Sequence, residues 1–438
     1  MTRRGSWSGA GVAALLLLGC TSIAEGLDNG VGMLPPMGYN TWNDLGCKEM
    51  SEANVKAAAA ALVKSGLRDL GYVYVNLDDC WQASKRNPNT GRLEADPTRF
   101  PSGMKALGDH LHSLNLRFGI YTDRGSRTCA GRPGSFKHEA LDAQTFADWG
   151  VDYVKEDNCH SSKGPNDKES LFQQFGEFRD SLNKTGRPIF FSVCGGGDQG
   201  LYTNLSYYAS DERGGKNLAN SWRIHSDCID WTTCLDGQQV AAGLQNYAGP
   251  GGFNDPDMLL GSQAKCARWL STARSRTQFN LWAILMAPLL LGTRLTAMPS
   301  FDLQTYSNAA VIAVNQDPLG QQGYILHRDF LISVWGRPLH NGDWAVAFVN
   351  NNPIFAANVV CDEKCWTLMP FQQNQVLYAK DLWNPNATAI EVSAGKPWTQ
   401  HVPGKGSSTM WRLSTTRWMD TLADSVDDAR SQSAPILV

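Results

Sequence analysis

Histidine is scarce in this chain: eight occur in 438 residues. No H-E-x-x-H occurs, so the helix-borne signature of a zinc hydrolase is missing. No G-x-G-x-x-G loop follows the first apolar strand, which argues against a dinucleotide-binding sheet. The later stretch CGGGDQG lacks the lysine of a phosphate loop. Neither sign of charge is in excess: 39 Lys and Arg face 42 Asp and Glu, for a formal net charge of -3, and charged residues make up only 18% of the chain. That balance offers no basic surface for nucleic acid. Internal repeats and low-complexity tracts are absent. The one strongly apolar run, GVAALLLLGC near the N-terminus, is too short to span a bilayer as a helix, and no later run is long enough.

That N-terminal run reads instead as a leader. Arg3 and Arg4 precede it and small residues follow in TSIAEG, so a signal peptide over residues 1–24 is expected, cleaved after Ala24. LLGC also matches a lipoprotein cleavage box with Cys20 as the lipidated residue; ordinary secretion is the preferred reading. Of 11 cysteines, one lies in the leader, which leaves an even ten for an oxidising compartment. Cys361 and Cys365 stand apart as a C-x3-C pair without histidines at zinc spacing, so a small disulfide loop is expected there. N-x-[ST] triplets at Asn183, Asn204 and Asn386 are compatible with glycosylation along a secretory route.

Aromatic residues and glycine are plentiful, with 15 Trp, 12 Tyr and 42 Gly. Core packing accounts for most of the tryptophans, but aromatic faces also suit sugar rings. Between residues 35 and 295 short apolar segments recur, each followed by polar residues: PPMGYNTW, GYVYVNLDDCW, LRFGIYTDRG, VDYVKEDNC, PIFFSVCGGG, SWRIHSDC, GGFNDPDML and MAPLLLGTRL. Helical stretches separate most of them; SEANVKAAAAALVKSGLRDLG opens on Ser51 as an N-cap and ends near Gly71. Eight strands alternating with helices predict a (β/α)8 TIM barrel over residues 27–325. From about Leu326 the texture changes to short β-type runs split by Gly, Asn and Pro. A small C-terminal antiparallel β-sandwich domain is expected over 326–415, followed by a polar tail, 416–438.

Barrel active sites lie at the C-terminal ends of the strands, and here those ends carry acids. Asp78 and Asp79 close the second strand, Asp123 the third and Asp157 the fourth; Asp227 follows the sixth, and Asp255 with Asp257 ends the seventh. Each alone would pass for a helix cap or a surface turn. Together, with Lys155 and Arg223 among them, they form a ring that needs cations, hydrogen bonds or a ligand's hydroxyls to be stable. A hard divalent ion held by carboxylates alone is one reading. Sugar chemistry is the better account, because it uses two carboxyls in different roles, further carboxylates on sugar hydroxyls, and aromatic walls. Trp42, Trp81 and Tyr121 stand on the same strand ends.

The blocks MGYNTW, NLDDCW, GIYTDRGSRTCAGRPGS, VKEDNC, WRIHSDCIDW, GGFNDPDML, MAPLLLG and AVNQDPLG resemble, in order and spacing, glycoside hydrolase family 27. That family holds α-galactosidases (melibiases) and α-N-acetylgalactosaminidases. The resemblance runs from about Leu34 to Gly320, with a weaker match in the β-domain. It implies that Asp157 is the nucleophile and Asp227 the acid/base of a retaining double displacement. It further implies that Asp78 and Asp79 bond the sugar's 4- and 6-hydroxyls with Trp42 beside the ring, and that Tyr121, Lys155, Arg223 and Asp257 line the pocket. A Cys129–Cys159 disulfide beside the nucleophile and a Cys47–Cys80 disulfide beside the paired aspartates are implied too. The pairing of Cys194, Cys228, Cys234 and Cys266 stays open.

Two departures stand out. Glu156 replaces a usually aromatic or apolar residue, and strand alternation turns it away from Asp157. Gly195, Gly196 and Gly197 replace the residues that contact the sugar's 2-substituent in the family, so that contact is absent, supplied from elsewhere by Asp198 or Glu212, or relaxed. The resemblance therefore implies a secreted α-galactosidase acting on oligosaccharides or glycoconjugates. Alternatives are an α-N-acetylgalactosaminidase or another family specificity, a transglycosylase, and an inactive carbohydrate-binding barrel. No cofactor and no metal are expected; the partner is a carbohydrate, and a homodimer is compatible. The destination is the medium, or a lysosome- or vacuole-type compartment.

Overall fold

The computed structural model describes residues 28–161, 168–195, 215–262 and 270–418. The leader with Cys20, the tail beyond residue 418, and Gly196, Gly197, Asp198, Asn204, Glu212 and Cys266 lie outside the described residues.

Eight strands form one parallel sheet in the order β7-β6-β5-β4-β3-β2-β1-β8. They are β1 Met37–Asn40, β2 Tyr74–Asn76, β3 Arg117–Asp123, β4 Tyr153–Asp157, β5 Phe190–Val193, β6 Ser221–Arg223, β7 Phe253–Asp255 and β8 Leu289–Leu291. Among the described residues no ladder joins β7 to β8. The ring is closed four residues beyond β7, where Leu259 bridges Leu291 in parallel. Leu259 N donates to Leu290 O (2.8 Å), and Gly292 N donates to Leu259 O (2.8 Å).

Side-chain alternation divides each strand between two cores. Val154 and Phe191 face outward into the layer shared with the helices, together with Phe146 and Phe178. Tyr74, Tyr153, Phe190, Phe253 and Leu290 face inward and fill the barrel beneath the rim. Tyr153 stacks on Phe190 with centroids 4.9 Å apart. This aromatic floor excludes water below the rim, so the polar ends of the same strands stand on a dry base. Gly119 in β3 is required by crowding there: a Cβ would lie 1.9 Å from Asn76 Oδ1.

The helices begin and end on local signals. Ser51 caps the helix Glu52–Lys64 by accepting from Asn54 N, and the helix stops at Lys64 rather than near Gly71. A short 3-10 turn, Arg68–Leu70, carries the chain on to Gly71, whose φ of 103° suits glycine. Asp230 and Thr233 form a reciprocal capping box on the helix Trp231–Ala241.

Strands β9 Tyr324–Arg328, β10 Ile332–Pro338, β11 Trp344–Asn350, β13 Val376–Asp381, β14 Ile390–Ser393 and β16 Ser407–Ser414 make a six-stranded antiparallel sheet. A two-stranded sheet of β12 Ala357–Cys361 and β15 Trp398–Val402 packs over it around a core with Phe348, Trp366 and Trp398. This domain grips the barrel helix Thr272–Ile284. Thr277 donates to Gly406 O (2.8 Å), Trp383 Nε1 donates to Asn280 Oδ1 (3.0 Å), and the buried Arg337 donates to Ala283 O (2.9 Å).

Candidate active site

Residues at the C-terminal ends of β2, β3, β4, β6 and β7 converge on one rim. Register sets the neighbours: Tyr121 lies beside Lys155 and Asp123 beside Asp157, while Arg223 lies beside Asp255. Lys155 and Asp157 share the inward face of β4, and both are only partly buried.

Asp157 is fixed through both oxygens. Tyr121 OH donates to Oδ2 (3.0 Å) and Asn158 N donates to Oδ1 (2.9 Å). Burial pushes its carboxyl above the usual range, and Lys155 with these two donors offsets that only in part. Tyr121 is itself pushed well up by burial, so its phenol keeps the proton that it donates.

Lys155 Nζ donates to Asp78 Oδ2 (2.8 Å) and sits 5.3 Å from the centre of the Tyr121 ring. Burial alone would lower the lysine, but Asp78 and the neighbouring acids outweigh it and the amine stays charged. Asp78 also accepts from Asn40 Nδ2 (3.0 Å), and Asn40 Oδ1 accepts from Trp42 N (2.8 Å), which ties the tryptophan to the same cluster. Asp79 accepts from Thr128 Oγ1 (2.9 Å), Ala130 N (2.8 Å) and Cys80 N (2.6 Å). Burial raises its carboxyl.

On the other side of the rim Arg223 donates to His225 O (3.3 Å) and holds three side chains. Its Nη2 lies 3.2 Å from Asp227 Oδ1 and 3.0 Å from Asp257 Oδ2, and its Nη1 is 3.8 Å from the Cys194 sulfur. Asp227 is 66% exposed; Arg223 holds its carboxyl below the usual range against the smaller effect of burial. Asp257 is buried and pushed up to about 6, by burial first and in spite of Arg223. It adopts a left-handed φ of 87°, a conformation that costs a non-glycine residue about 1 kcal/mol or more. Hydrogen bonds hold it there: Asp257 N donates to Asp255 Oδ1 (2.8 Å), and Cys228 N and Met258 N donate to the Asp257 carboxylate (2.8 Å each).

Disulfides join Cys47 to Cys80 and Cys129 to Cys159, and two more join Cys228 to Cys234 and Cys361 to Cys365. Asp123, Cys129, Asp157 and Cys159 bring ligand-type atoms within 4.8 Å of one another. Its two sulfurs are bonded to each other, so that cluster offers a metal no thiolate.

Asp157, Asp227, Trp42, Asp78, Asp79, Tyr121, Lys155, Arg223 and Asp257 stand on this rim. Trp81, read from the sequence as part of the same aromatic wall, does not: it is fully buried, donates to Tyr121 O (2.8 Å) and packs edge-on against Phe146 and Trp149. It belongs to the layer behind the strands, because the chain turns over between Asp79 and Trp81. Glu156 points away from the barrel axis and is fully buried. Burial, and after it Asp123, pushes its carboxyl well above the usual range.

The family model described as Alpha galactosidase A matches residues 34–317, and that of the α-galactosidase C-terminal β-sandwich domain matches 329–413. This chain belongs to the α-galactosidases of glycoside hydrolase family 27. A probable α-galactosidase of Dictyostelium discoideum is 38% identical over 374 residues, covering 85% of this chain and 90% of that protein. An α-galactosidase of Cyamopsis tetragonoloba is 39% identical over 373 residues, 84% of each. The structure of the α-galactosidase MEL1 from Saccharomyces cerevisiae superposes with a TM-score of 0.80 at 28% identity, covering 90% of this chain and all 100% of that one.

Against that family background, two residues at the site were missed by the sequence reading. Asp123 was noted on the rim but given no place in the pocket. It accepts from Gly125 N (2.6 Å) and Cys159 N (2.8 Å), and it is pushed up to about 7, by burial first and Asp157 second. Its register opposite Asp157 was the available signal. Cys194, beside Arg223, has no disulfide partner among the described residues; Cys266, left open as its partner, lies outside them.

Proposed function

We propose that the protein is a secreted retaining α-galactosidase that removes terminal α-D-galactosyl groups from oligosaccharides or glycoconjugates. The observation that carries this reading is the pairing of two unlike carboxyls on one rim: Asp157, clamped by Tyr121 and Asn158, and Asp227, exposed beside Arg223. The Asp157 carboxylate attacks the anomeric carbon, the glycosidic C–O bond breaks, and the leaving oxygen takes a proton from Asp227. Water then attacks the glycosyl-enzyme, Asp227 takes its proton, and galactose leaves with net retention.

In the free protein Arg223 keeps Asp227 ionised, which is the state required of the base in the second step. A sugar seated over the rim strips water from this exposed carboxyl, and desolvation raises a carboxyl pKa. The acid form thus belongs to the complex. Asp78 is held by Lys155 and Asn40, and Asp79 by Thr128 and Ala130; both stay oriented to accept from sugar hydroxyls. Secretion is supported by the leader in the sequence, by four disulfides, and by exposed sequons at Asn183 and Asn386. No helix among the described residues is long and apolar enough to cross a membrane.

The second reading, an α-N-acetylgalactosaminidase, is favoured by one observation: Gly195 brings no side chain to the end of β5, next to Arg223 and Cys194. Turnover of p-nitrophenyl α-galactoside against its α-N-acetylgalactosaminide analogue, from pH 4 to 7, decides between them. Preference for the galactoside upholds the proposal, and preference for the acetamido sugar replaces it. No turnover of either by the intact protein overturns both.

A further inference from the structure

The barrel helix Thr272–Ile284 has two kinds of neighbour. One face meets the β-domain, where Thr277 donates to Gly406 O (2.8 Å) and Asn280 Nδ2 donates to Ser408 Oγ (2.9 Å). The opposite face carries Gln278 and Trp282, four residues apart and therefore side by side. Both are fully buried. An apolar pair would fill that space at lower cost, because a buried amide or indole N–H must find partners. These two find theirs behind the Asp227 side of the rim.

Gln278 brackets the chain just past β7. Its Oε1 accepts from Leu260 N (3.1 Å) and its Nε2 donates to Met258 O (3.1 Å). The same Nε2 lies 3.3 Å from the sulfur of Cys228 and 3.6 Å from that of Cys234, the disulfide that closes the loop after Asp227. Trp282 Nε1 donates to Asp257 O (2.8 Å), at the residue whose φ is left-handed. From there the contacts reach the rim. Asp257 Oδ2 accepts from Cys228 N (2.8 Å) and lies 3.0 Å from Arg223 Nη2, and that nitrogen lies 3.2 Å from Asp227 Oδ1. One carboxylate oxygen therefore fixes both the residue that follows Asp227 and the cation that faces it. Asp227 itself is mostly exposed, so its place is set by these buried intermediates rather than by packing of its own.

We infer that Gln278 and Trp282 are positioning residues for the acid/base: from behind the rim they hold Asp227 against Arg223 for the proton it gives to the leaving oxygen and takes from water. The inference rests on the reading of Asp227 as the acid/base; the hydrogen-bonded path to it does not. Among the described residues, the charged and titratable groups facing Asp227 are Arg223 from β6 and Lys155 from β4, with Asp257 after β7 and Cys194 after β5. Arg223 has the largest influence and lowers the Asp227 carboxyl. Loosening the bracket moves the loop of Asp227 away from Arg223. The carboxyl then loses part of that lowering, and its acid form persists to higher pH.

The test compares the full chain with its Q278M, W282F and T277V variants. Q278M and W282F remove the polar contacts and keep most of the volume. T277V loses its bond to Gly406 on the β-domain face and serves as the structural comparison. In Q278M and W282F, kcat/KM should fall about ten-fold or more on melibiose but no more than about three-fold on p-nitrophenyl α-galactoside, whose leaving group departs without a proton. The descending limb of the pH profile on melibiose should move up by about half a pH unit, a fraction of the roughly one to three units that an adjacent cation is worth to a carboxyl. The ascending limb, which reports Asp157, should stay. T277V should lower Tm and move neither the limb nor the ratio of the two substrates. Equal losses on both substrates with an unmoved limb in Q278M and W282F, or the same shift in T277V, overturn the inference and leave the reading of Asp227 intact. If Q278M does not fold, W282F alone decides, because it keeps an aromatic ring in place. A descending limb that persists in D227N overturns the acid/base reading, and this inference with it.

Discussion

The two carboxyls proposed to share the reaction occupy opposite conditions on one rim. Asp157 stands on a dry aromatic floor, with donors on both oxygens and a pKa raised by burial. Asp227 is 66% exposed beyond the end of β6, with Arg223 as its side-chain partner and a pKa lowered by it. The first is built for position: its oxygens cannot wander from the anomeric carbon they are to attack. The second is built for change: its proton affinity is set by one cation and by whatever displaces the water over it. Identical side chains thus acquire different chemistry from burial and neighbours alone.

The sharpest way to test that contrast is to remove each carboxyl in turn. D157N should abolish turnover of every α-galactoside, because no covalent intermediate can form. D227N should cost about 10²–10⁴-fold, less on p-nitrophenyl α-galactoside than on melibiose, since a nitrophenolate leaves without a proton. Equal losses on both substrates would contradict the acid role. A smaller effect concerns the cation behind the nucleophile. K155M strands the buried Asp78 and should destabilise the fold by about 3–5 kcal/mol, read as a fall in denaturation midpoint.

The disulfides scale the difference between the two sides. Cys129–Cys159 closes a loop with a sequence separation of 30 and Cys228–Cys234 one of 6. Chain entropy gives about 4 kcal/mol for the first and about 2 kcal/mol for the second. The double serine variants should rank in that order in Tm. The shorter one, which anchors the loop of Asp227, should show the larger fall in kcat relative to its fall in Tm.

The mildest expected effect is on pH. Asp123 and Asp257 are raised to about 7 and about 6 in the folded chain. Both then keep protons that the unfolded chain has released above about pH 4. The folded state binds more protons through that window, so stability falls as pH rises from about 4 to about 7. Tm at pH 4.5 should exceed Tm at pH 7.5, and D123N should flatten the slope.

Much of this was legible in the sequence for a geometric reason. In a parallel barrel every strand ends on the same rim, so Asp78, Asp157 and Asp255 could be grouped without knowing a single distance. The ordered family blocks then named roles. What stayed hidden depends on direction and competition rather than on order. Trp42 and Trp81 follow strand ends alike, yet one reaches the rim cluster and the other packs behind the sheet, because a turn reverses the chain after Asp79. Whether Lys155 or burial wins at Asp157 is a balance of two opposed terms, invisible to residue identity. A parity count cannot place Cys194, which has no disulfide partner among the described residues while Cys266 lies outside them.

The closure of the barrel has a consequence of its own. Seven of the eight joints in the ring are strand ladders, and the eighth is a bridge at Leu259. The helix that spans this seam, Thr272–Ile284, is the one the β-domain grips through Thr277, Asn280 and Ala283. The C-terminal sheet therefore acts as a clasp across the weakest joint of the hoop. Amide exchange at Leu259 and Gly292 would report the clasp loosening before any other ladder opens, and a chain shortened before β9 would lose its ring at that place first.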